Sequence, residues 1–306
     1  MANEITYALG GDIRAAAILH QELATLLADR ASLMGHSALV NYGDMSGRGS
    51  TVLQVGQAGL DGYDKMASVA EGASVANTAL TDASVNITIA RQALQYEITD
   101  LMSLSDSIGL VAPRLAQSMV GSADMRFTQM VCEVTDDFTA TAGTSGTNMS
   151  VDDWFDAQFA LTQAGVPGPY LAILHPVQLT DWQGSLRAET GVLSWQPASA
   201  EAIAIKGQGY AGQFGGVDVF SSQQVPTANA GADRAGGMFG AGAVGYATGM
   251  QSAIYSGGEI VVPAGAQIVA EFSRNASAGQ TIITGNLFCG VAIVEDSRGV
   301  SIITDA

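Results

Sequence analysis

Two hydrophobic spacings alternate along the chain, and each predicts its own elements. Asp12 to Arg30, DIRAAAILHQELATLLADR, sets Leu19, Leu23, Leu26 and Leu27 at helical spacing. Asp12 follows Gly10-Gly11 and is placed to cap the start, so a short amphipathic helix is predicted on an N-terminal arm. Thr51 to Val55 reads as a strand, and VNITI, Val85 to Ile89, alternates with the two-residue period of a second strand. Small and polar residues with Gly56, Gly59, Gly62 and Gly72 fill the space between them. That pattern predicts two strands reaching out to a loop with little core of its own. Such an excursion makes sense in a packed protein when it lies on another subunit.

Ser107 to Glu133 reads as a long helix, with Pro113 marking its first turn or a kink and Leu115, Met119, Met130 and Val131 on its apolar side. Gly121 and Ala123 allow another element to approach it closely. Thr139 to Asn148, TATAGTSGTN, is a Gly/Thr/Ser linker and the predicted domain boundary. Ser150 to Asp153 then forms an S-x-x-D capping signal for a helix stopped by Gly165. PYLAILHP follows as a buried strand, and Pro176 opens a second helix. Helix, strand and helix in succession predict a small α/β unit. Beyond it come the strand GGVDVF, a further strand predicted over Met238 to Tyr246 (MFGAGAVGY), and a strand-rich end with EIVVP, AQIVAEF, FCGVAIV and SIIT.

Composition adds constraints. The chain has 306 residues, of which 47% are apolar and only 13% charged, well below the usual quarter. It has mass enough for a sizeable core and a surface covered by Ser, Thr, Gln, Asn and Gly, which suits burial against partners. Net charge is −17, with Lys65 and Lys206 the only lysines. No basic cluster exists to displace phosphate counterions, so a nucleic-acid-binding surface is not expected. The N-terminus has neither a basic n-region nor an apolar h-region, so no signal peptide is read. No run of about 18 apolar residues predicts a membrane span. Cys132 and Cys289 are far apart in sequence and form no metal or redox spacing. Buried free thiols are expected, with a disulfide as the alternative.

Chemistry-bearing motifs are few. Gly207 to Gly212, GQGYAG, matches G-x-G-x-x-G. That pattern cradles pyrophosphate only after a strand and at the start of a helix. AIAI before it can pass for the strand, but QFGGVDVF after it is β-like, so a structural loop is expected. His20, His36 and His175 are scattered and give no metal spacing. Asp152, Asp153 and Asp156 sit at one helix start, where carboxylates favour the positive end of the dipole. The calcium-loop spacing and the G-x-S-x-G elbow are absent. Sequons at Asn86, Asn148 and Asn275 carry little weight without a secretion signal. No catalytic constellation is readable, and no cofactor or metal is expected.

Several stretches together resemble one family. VAEGASVANTALTDASVNITIARQALQYEITDLMSLSD resembles the returning half of an extended loop running into a spine helix, and APRLAQSMVGSADMRFTQM falls in the spine position. YLAILHPVQLTDWQGSLR resembles the strand-to-helix unit of an axial domain, and FGGVDVFSSQQVP with GGMFGAGAVGYATG its Gly-led strand and partner. In this order they resemble the tailed-bacteriophage major capsid protein, the Hong Kong 97 fold. The resemblance implies an α+β chain with an N-terminal arm (1–45), an extended two-stranded loop (46–90), a peripheral domain with the spine helix (91–138), an axial α/β domain (139–250) and a strand-rich return to the peripheral domain (251–306).

It also implies a homo-oligomer of hexamers and pentamers in an icosahedral shell that encloses double-stranded DNA without gripping it. A virion location, assembly in the host cytoplasm, no enzymatic activity and no membrane follow. The expected inter-subunit contacts on the loop are Tyr63, Lys65, Glu71, Gly72, Asn77 and Thr81. Some relatives join subunits through a loop lysine and a neighbour's asparagine. Lys65 with Asn275 or Asn286 matches by region only, and no motif supports the pairing. About 40 residues before the loop are too few for a scaffolding domain, so a separate scaffolding protein, or none, is expected, beside a portal, with a decoration protein left open. The rival readings are an encapsulin-type nanocompartment shell of the same fold and, from another class, a Gly/Ala-rich binding or adhesion protein.

Overall fold

The computed structural model describes residues 33–46, 48–59, 68–75, 81–100, 111–188, 195–206, 209–249, 259–261 and 268–305. A 3-10 turn, Leu33–Gly35, leads into β1 (Leu39–Asp44), followed by β2 (Val52–Gly59), β3 (Thr81–Thr88), β4 (Ala90–Thr99) and α1 (Val111–Asp136). Next come β5 (Thr141–Ala142), α2 (Val151–Gln163), β6 (Tyr170–Leu174), α3 (Pro176–Ala188), β7 (Gln196–Pro197), α4 (Ala200–Lys206), β8 (Tyr210–Phe214) and β9 (Val217–Ser221). The chain closes with β10 (Thr227–Ala228), β11 (Asp233–Phe239), β12 (Val244–Gly249), β13 (Glu259–Val261), β14 (Ile268–Asn275), β15 (Gln280–Ile293) and β16 (Gly299–Asp305).

The strands form three sheets. An eight-stranded mixed sheet runs β5-β16-β11-β6-β9-β8-β7, with β10 paired to β11. A six-stranded sheet runs β1-β12-β15-β14-β13, with β4 also paired to β15. Among the described residues β2 and β3 pair only with each other. The span 251–306 therefore divides between two sheets: β14 and β15 lie in the six-stranded sheet, and β16 crosses to the eight-stranded one. Within 139–250, β12 likewise belongs to the six-stranded sheet, and Thr141 and Ala142 of the Gly/Thr/Ser stretch pair in parallel with Ser301 and Ile302.

Local chemistry explains the α/β unit. Ser150 caps α2: its hydroxyl accepts from the Asp153 N–H, and the Asp153 carboxylate accepts from the Ser150 N–H, a closed capping box. Val151, Trp154, Ala157 and Leu161 then make the buried stripe. Gly165, at φ +71, ends the helix in a conformation that costs side-chain-bearing residues most. β6 is buried at all five positions because it lies between β11 and β9 with both faces covered. Pro176 opens α3, where its missing N–H costs nothing. Gln178 is fully buried on α3. Its amide donates to Arg234 O, Ile302 O and Thr304 Oγ1, and its oxygen accepts from the His175 N–H.

Each face of the eight-stranded sheet has its own core. Leu171 and Ile173 point to a cluster with Phe127 and Val131 of α1, Phe239, Val244, Tyr246, Leu287 and Cys289. Ala172 and Leu174 point the other way, to Trp154, Trp182, Phe214, Val217, Val219 and Ile302 beneath α2 and α3. Alternation along one strand thus feeds two cores.

Three expectations need correction. Met238 to Tyr246 is not one strand: a turn over 240–243 separates β11 from β12, which enter different sheets. Gly240 marks the break, where a Cβ would come within 2.4 Å of Val166 Cγ1. AIAI is part of helix α4, not a strand; the Ser199 hydroxyl accepts from the Ala202 N–H at its start. ARQALQYEIT, read only as the approach to the spine helix, is the ten-residue strand β4, paired along β15. α1 matches the predicted long helix and continues to Asp136, with Pro113 in its first turn. The predicted helix Asp12 to Arg30, with His20, and the residues 107–110 lie outside the described residues.

Candidate assembly surface

The β2–β3 ribbon stands apart from the two larger sheets. Eight residue pairs hold it, from Val52↔Thr88 to Gly59↔Thr81. A lone two-stranded ribbon is at best marginally stable in water, so its root matters. Val55 and Ile87 are buried there with Ala247 and Val294, and Tyr42, Leu53, Ile89 and Ala292 pack against them. The Ile89 N–H donates to Thr51 O at 2.8 Å. Gly290 on β15 makes this docking possible: a Cβ there would lie 2.1 Å from Thr88 O, so the ribbon backbone sits directly on the strand.

One ribbon face carries Leu53, Val55, Val85 and Ile87; the other carries exposed Gln54, Gly56, Ser84 and Asn86. Gln54 Nε2 donates to Ser84 Oγ across the exposed face. Val75, in the excursion between the strands, is 73% exposed. Thr81 forms the last ribbon rung with Gly59. Glu71 and Gly72 lie in an exposed turn, where the Ala73 N–H donates to Ala70 O and Gly72 takes φ +83. Tyr63, Lys65 and Asn77 lie outside the described residues. Asn286 is fully buried, its oxygen accepting from Arg91 Nε, whereas Asn275 is half-buried and accepts from Ser277 Oγ.

A convergence of titratable groups escaped the sequence reading. Asp218 on β9 receives Lys206 Nζ at 2.6 Å, His36 Nε2 at 3.2 Å and Tyr210 Oη at 3.3 Å. Burial opposes the Asp218 charge, but the bonds from Lys206 and His36 outweigh it and hold the carboxyl below its ordinary range. Burial lowers the Lys206 pKa and Asp218 raises it more, so the ammonium is retained. Burial raises Tyr210. The acid is thus kept charged, the amine protonated and the phenol neutral, so the group is a partly buried ion pair with its hydrogen bonds made within the chain. The signal in the sequence was Asp218 itself, a charge inside the otherwise apolar strand VDVF that had to find partners. Those partners lie 12 and 182 positions away, in helix α4 and in the turn before β1.

A second buried acid, Asp233, accepts from Ser145 Oγ at 2.5 Å, from the Gly146 N–H at 2.9 Å and from Asn229 Nδ2. These donors, Ser145 foremost, hold its carboxyl below the ordinary range. It ties the 144–147 turn to the start of β11.

GQGYAG has the wrong order for a pyrophosphate cradle. Helix α4 precedes it, Gly209 turns at φ +104, and strand β8 follows; Gly207 and Gln208 lie outside the described residues. Gly212 is needed for pairing, because a Cβ there would lie 2.2 Å from Gln196 O. Cys132 and Cys289 are free and buried. Burial pushes their thiols up to about 12 and about 11. Among the described residues no group of three or more His, Cys, Asp or Glu converges to hold a metal, and no helix is long and apolar enough to cross a membrane.

No family model and no curated protein matches the sequence. Solved structures do match its fold. The capsid of cyanophage P-SCSP1u aligns with a TM-score of 0.58 at 14% identity, covering 90% of this chain and 88% of that one. The capsid of Ralstonia phage GP4 gives 0.58 at 14% identity over 88% and 87%. The chain has the Hong Kong 97-like capsid fold. The SrpI encapsulin of Synechococcus elongatus PCC 7942 shares this capsid fold, at a TM-score of 0.56 and 11% identity over 87% and 85%. These alignments cover 87–90% of this chain, so the likeness is not confined to one module of it.

Proposed function

We propose that this chain is a major capsid protein, a structural subunit that self-assembles into the icosahedral shell around the double-stranded DNA of a tailed phage. The observation that carries the reading is the end-to-end likeness to phage capsid structures, over 88–90% of this chain and 87–88% of theirs in the two phage capsids above. The ribbon supports it. A two-stranded arm with its own small root core and an exposed far end suits laying backbone and small side chains on a neighbouring subunit. The net charge of −17 suits a wall that confines DNA without binding it.

In this reading residues 1–45 are the arm, 46–90 the extended loop, 91–138 the peripheral domain, 139–250 the axial domain and 251–306 the return. Tyr63, Lys65, Glu71, Gly72, Asn77 and Thr81 make the loop's contacts with the neighbour. Hexamers and pentamers close the shell in the host cytoplasm with a separate scaffolding protein, a portal and a decoration protein. The encapsulin likeness supports a second reading, a nanocompartment shell. Particles purified after expression in a heterologous host separate the two. Co-purification of one cargo protein inside the particle favours the nanocompartment, and empty shells that fill only with a portal and packaging motor favour the capsid. A soluble monomer under all assembly conditions contradicts both.

A further inference from the structure

His36 joins two parts of the molecule through a hydrogen-bond pattern that only its neutral ring can make. Its Nδ1 accepts the Ala38 backbone N–H at 3.1 Å. A nitrogen that accepts carries no proton, so the proton of the neutral ring is on Nε2, which faces Asp218 Oδ2 at 3.2 Å. The ring also stands edge-on to Phe220, with centroids 5.6 Å apart. Both nitrogens are satisfied, and the side chain is 9% exposed.

The elements joined belong to different sheets. The turn Leu33–Gly35 and β1 lead into the six-stranded sheet, where Tyr246 Oη donates to Met34 O at 2.7 Å. Asp218 and Phe220 lie on β9 of the eight-stranded sheet, and Lys206 ends α4 beside it. Of the described titratable and charged groups, Asp218 of β9 bonds the His36 ring and Lys206 of α4 acts on it through charge, while Lys206 and Tyr210 of β8 both bond the other Asp218 oxygen. With a neutral ring the cluster holds one negative and one positive charge. A second proton on the ring leaves the cluster with one positive charge in excess, placed on a ring that is itself largely buried. The same proton sets Nδ1–H against the Ala38 N–H, donor against donor.

We propose that the His36–Asp218 contact is an acid-sensitive latch: protonation of Nδ1 releases the 33–38 stretch from β9 and uncouples the two sheets at this junction. The latch is independent of the shell reading, because it rests on contacts within one chain. Burial, the largest effect, pulls the ring's pKa below 6.5, and Asp218 opposes it. The sign follows. The closed state binds its proton at lower pH than the open state, so the latch is fully closed above 6.5 and weakens as pH falls toward the lower value of the closed ring.

The test is hydrogen exchange on the full unassembled chain, with protection corrected for the intrinsic pH dependence of exchange. Protection of the Ala38 amide and of peptides within 33–44 is expected to fall about tenfold per pH unit below 6.5, while peptides from β6 stay unchanged. In His36→Asn the side-chain oxygen can still accept the Ala38 N–H but does not titrate, and the fall is expected to vanish. A wild-type profile that is flat, or one that His36→Asn reproduces, overturns the proposal. Should that variant not fold, the NMR titration of the His36 ring decides. Ring protonation coinciding with the loss of protection supports the latch, and loss of protection while the ring is still neutral overturns it.

Discussion

Replacing Ile87 by alanine removes the side chain on which the β2–β3 ribbon stands. Ile87 is fully buried, and its cluster holds only Val55, Ala247 and Val294 as buried partners. The change deletes three carbons, worth about 0.8 kcal/mol each in transfer terms, or about 2.4 kcal/mol. The root collapses incompletely around the gap, which places the total near 3 kcal/mol, within the range of roughly 2–5 for such truncations. Among the described residues the ribbon pairs with no other strand, so this loss should open the ribbon locally and leave the rest of the molecule closed. A loss of that size multiplies the open population by about a hundred. Hydrogen exchange on the unassembled subunit should therefore show protection in 81–88 falling about a hundredfold, with 170–174 and 217–221 unchanged. In the proposed capsid reading, assembly yield should fall with it. A protection loss spread evenly over the chain, or none in 81–88, would refute the claim that the ribbon has a foundation of its own.

The remaining predictions concern backbone approach and buried polar groups. Gly290→Ala places a methyl 2.1 Å from Thr88 O, whereas Gly249→Ala meets nothing closer than 3.8 Å. The first should displace the ribbon and abolish assembly; the second should assemble normally, as particle counts after gradient sedimentation would show. Gln178→Leu leaves Arg234 O, Ile302 O, Thr304 Oγ1 and the His175 N–H without their partner. At about 1–3 kcal/mol per buried unsatisfied group, the melting temperature should drop by roughly 5 °C or more, and an unchanged value would contradict the bonding described. Asp233 has a folded pKa below its ordinary 3.8, so its stabilisation is complete above that value and is lost as pH falls through the lower folded one. Thermal unfolding at stepped pH should show a steeper acid decline in the wild type than in Asp233→Asn; parallel declines would count against it.

Much of the α/β unit was legible because its signals are local. Ser150, Gly165 and Pro176 mark ends, and the apolar run at β6 marks a strand covered on both faces. AIAI, a short helix with a local Ser199 cap, was simply misread; the other failures share one cause, which is pairing distant in sequence. The alternation of Gln92, Leu94, Tyr96 and Ile98 was present in β4, but only pairing with β15 makes it a strand. LVNYGD gains its identity as β1 from β12, about two hundred residues later. In MFGAGAVGY the small residues suited a strand throughout, and nothing local showed that two sheets divide it. The ribbon was read correctly as an excursion, yet its root was not, because Ile87 meets Ala247 and Val294 only in the folded chain. The Asp218 cluster was hidden for the same reason, since a buried charge announces a partner without saying which.

The most direct test of the central claim is electron microscopy of the purified full-length protein, expressed alone and with a candidate scaffolding protein. The account predicts discrete closed particles with icosahedral symmetry whose shell density is filled by this fold, with the β2–β3 ribbon lying on the adjacent subunit. A monodisperse monomer under both conditions, or particles in which the ribbon folds back on its own subunit, would contradict it.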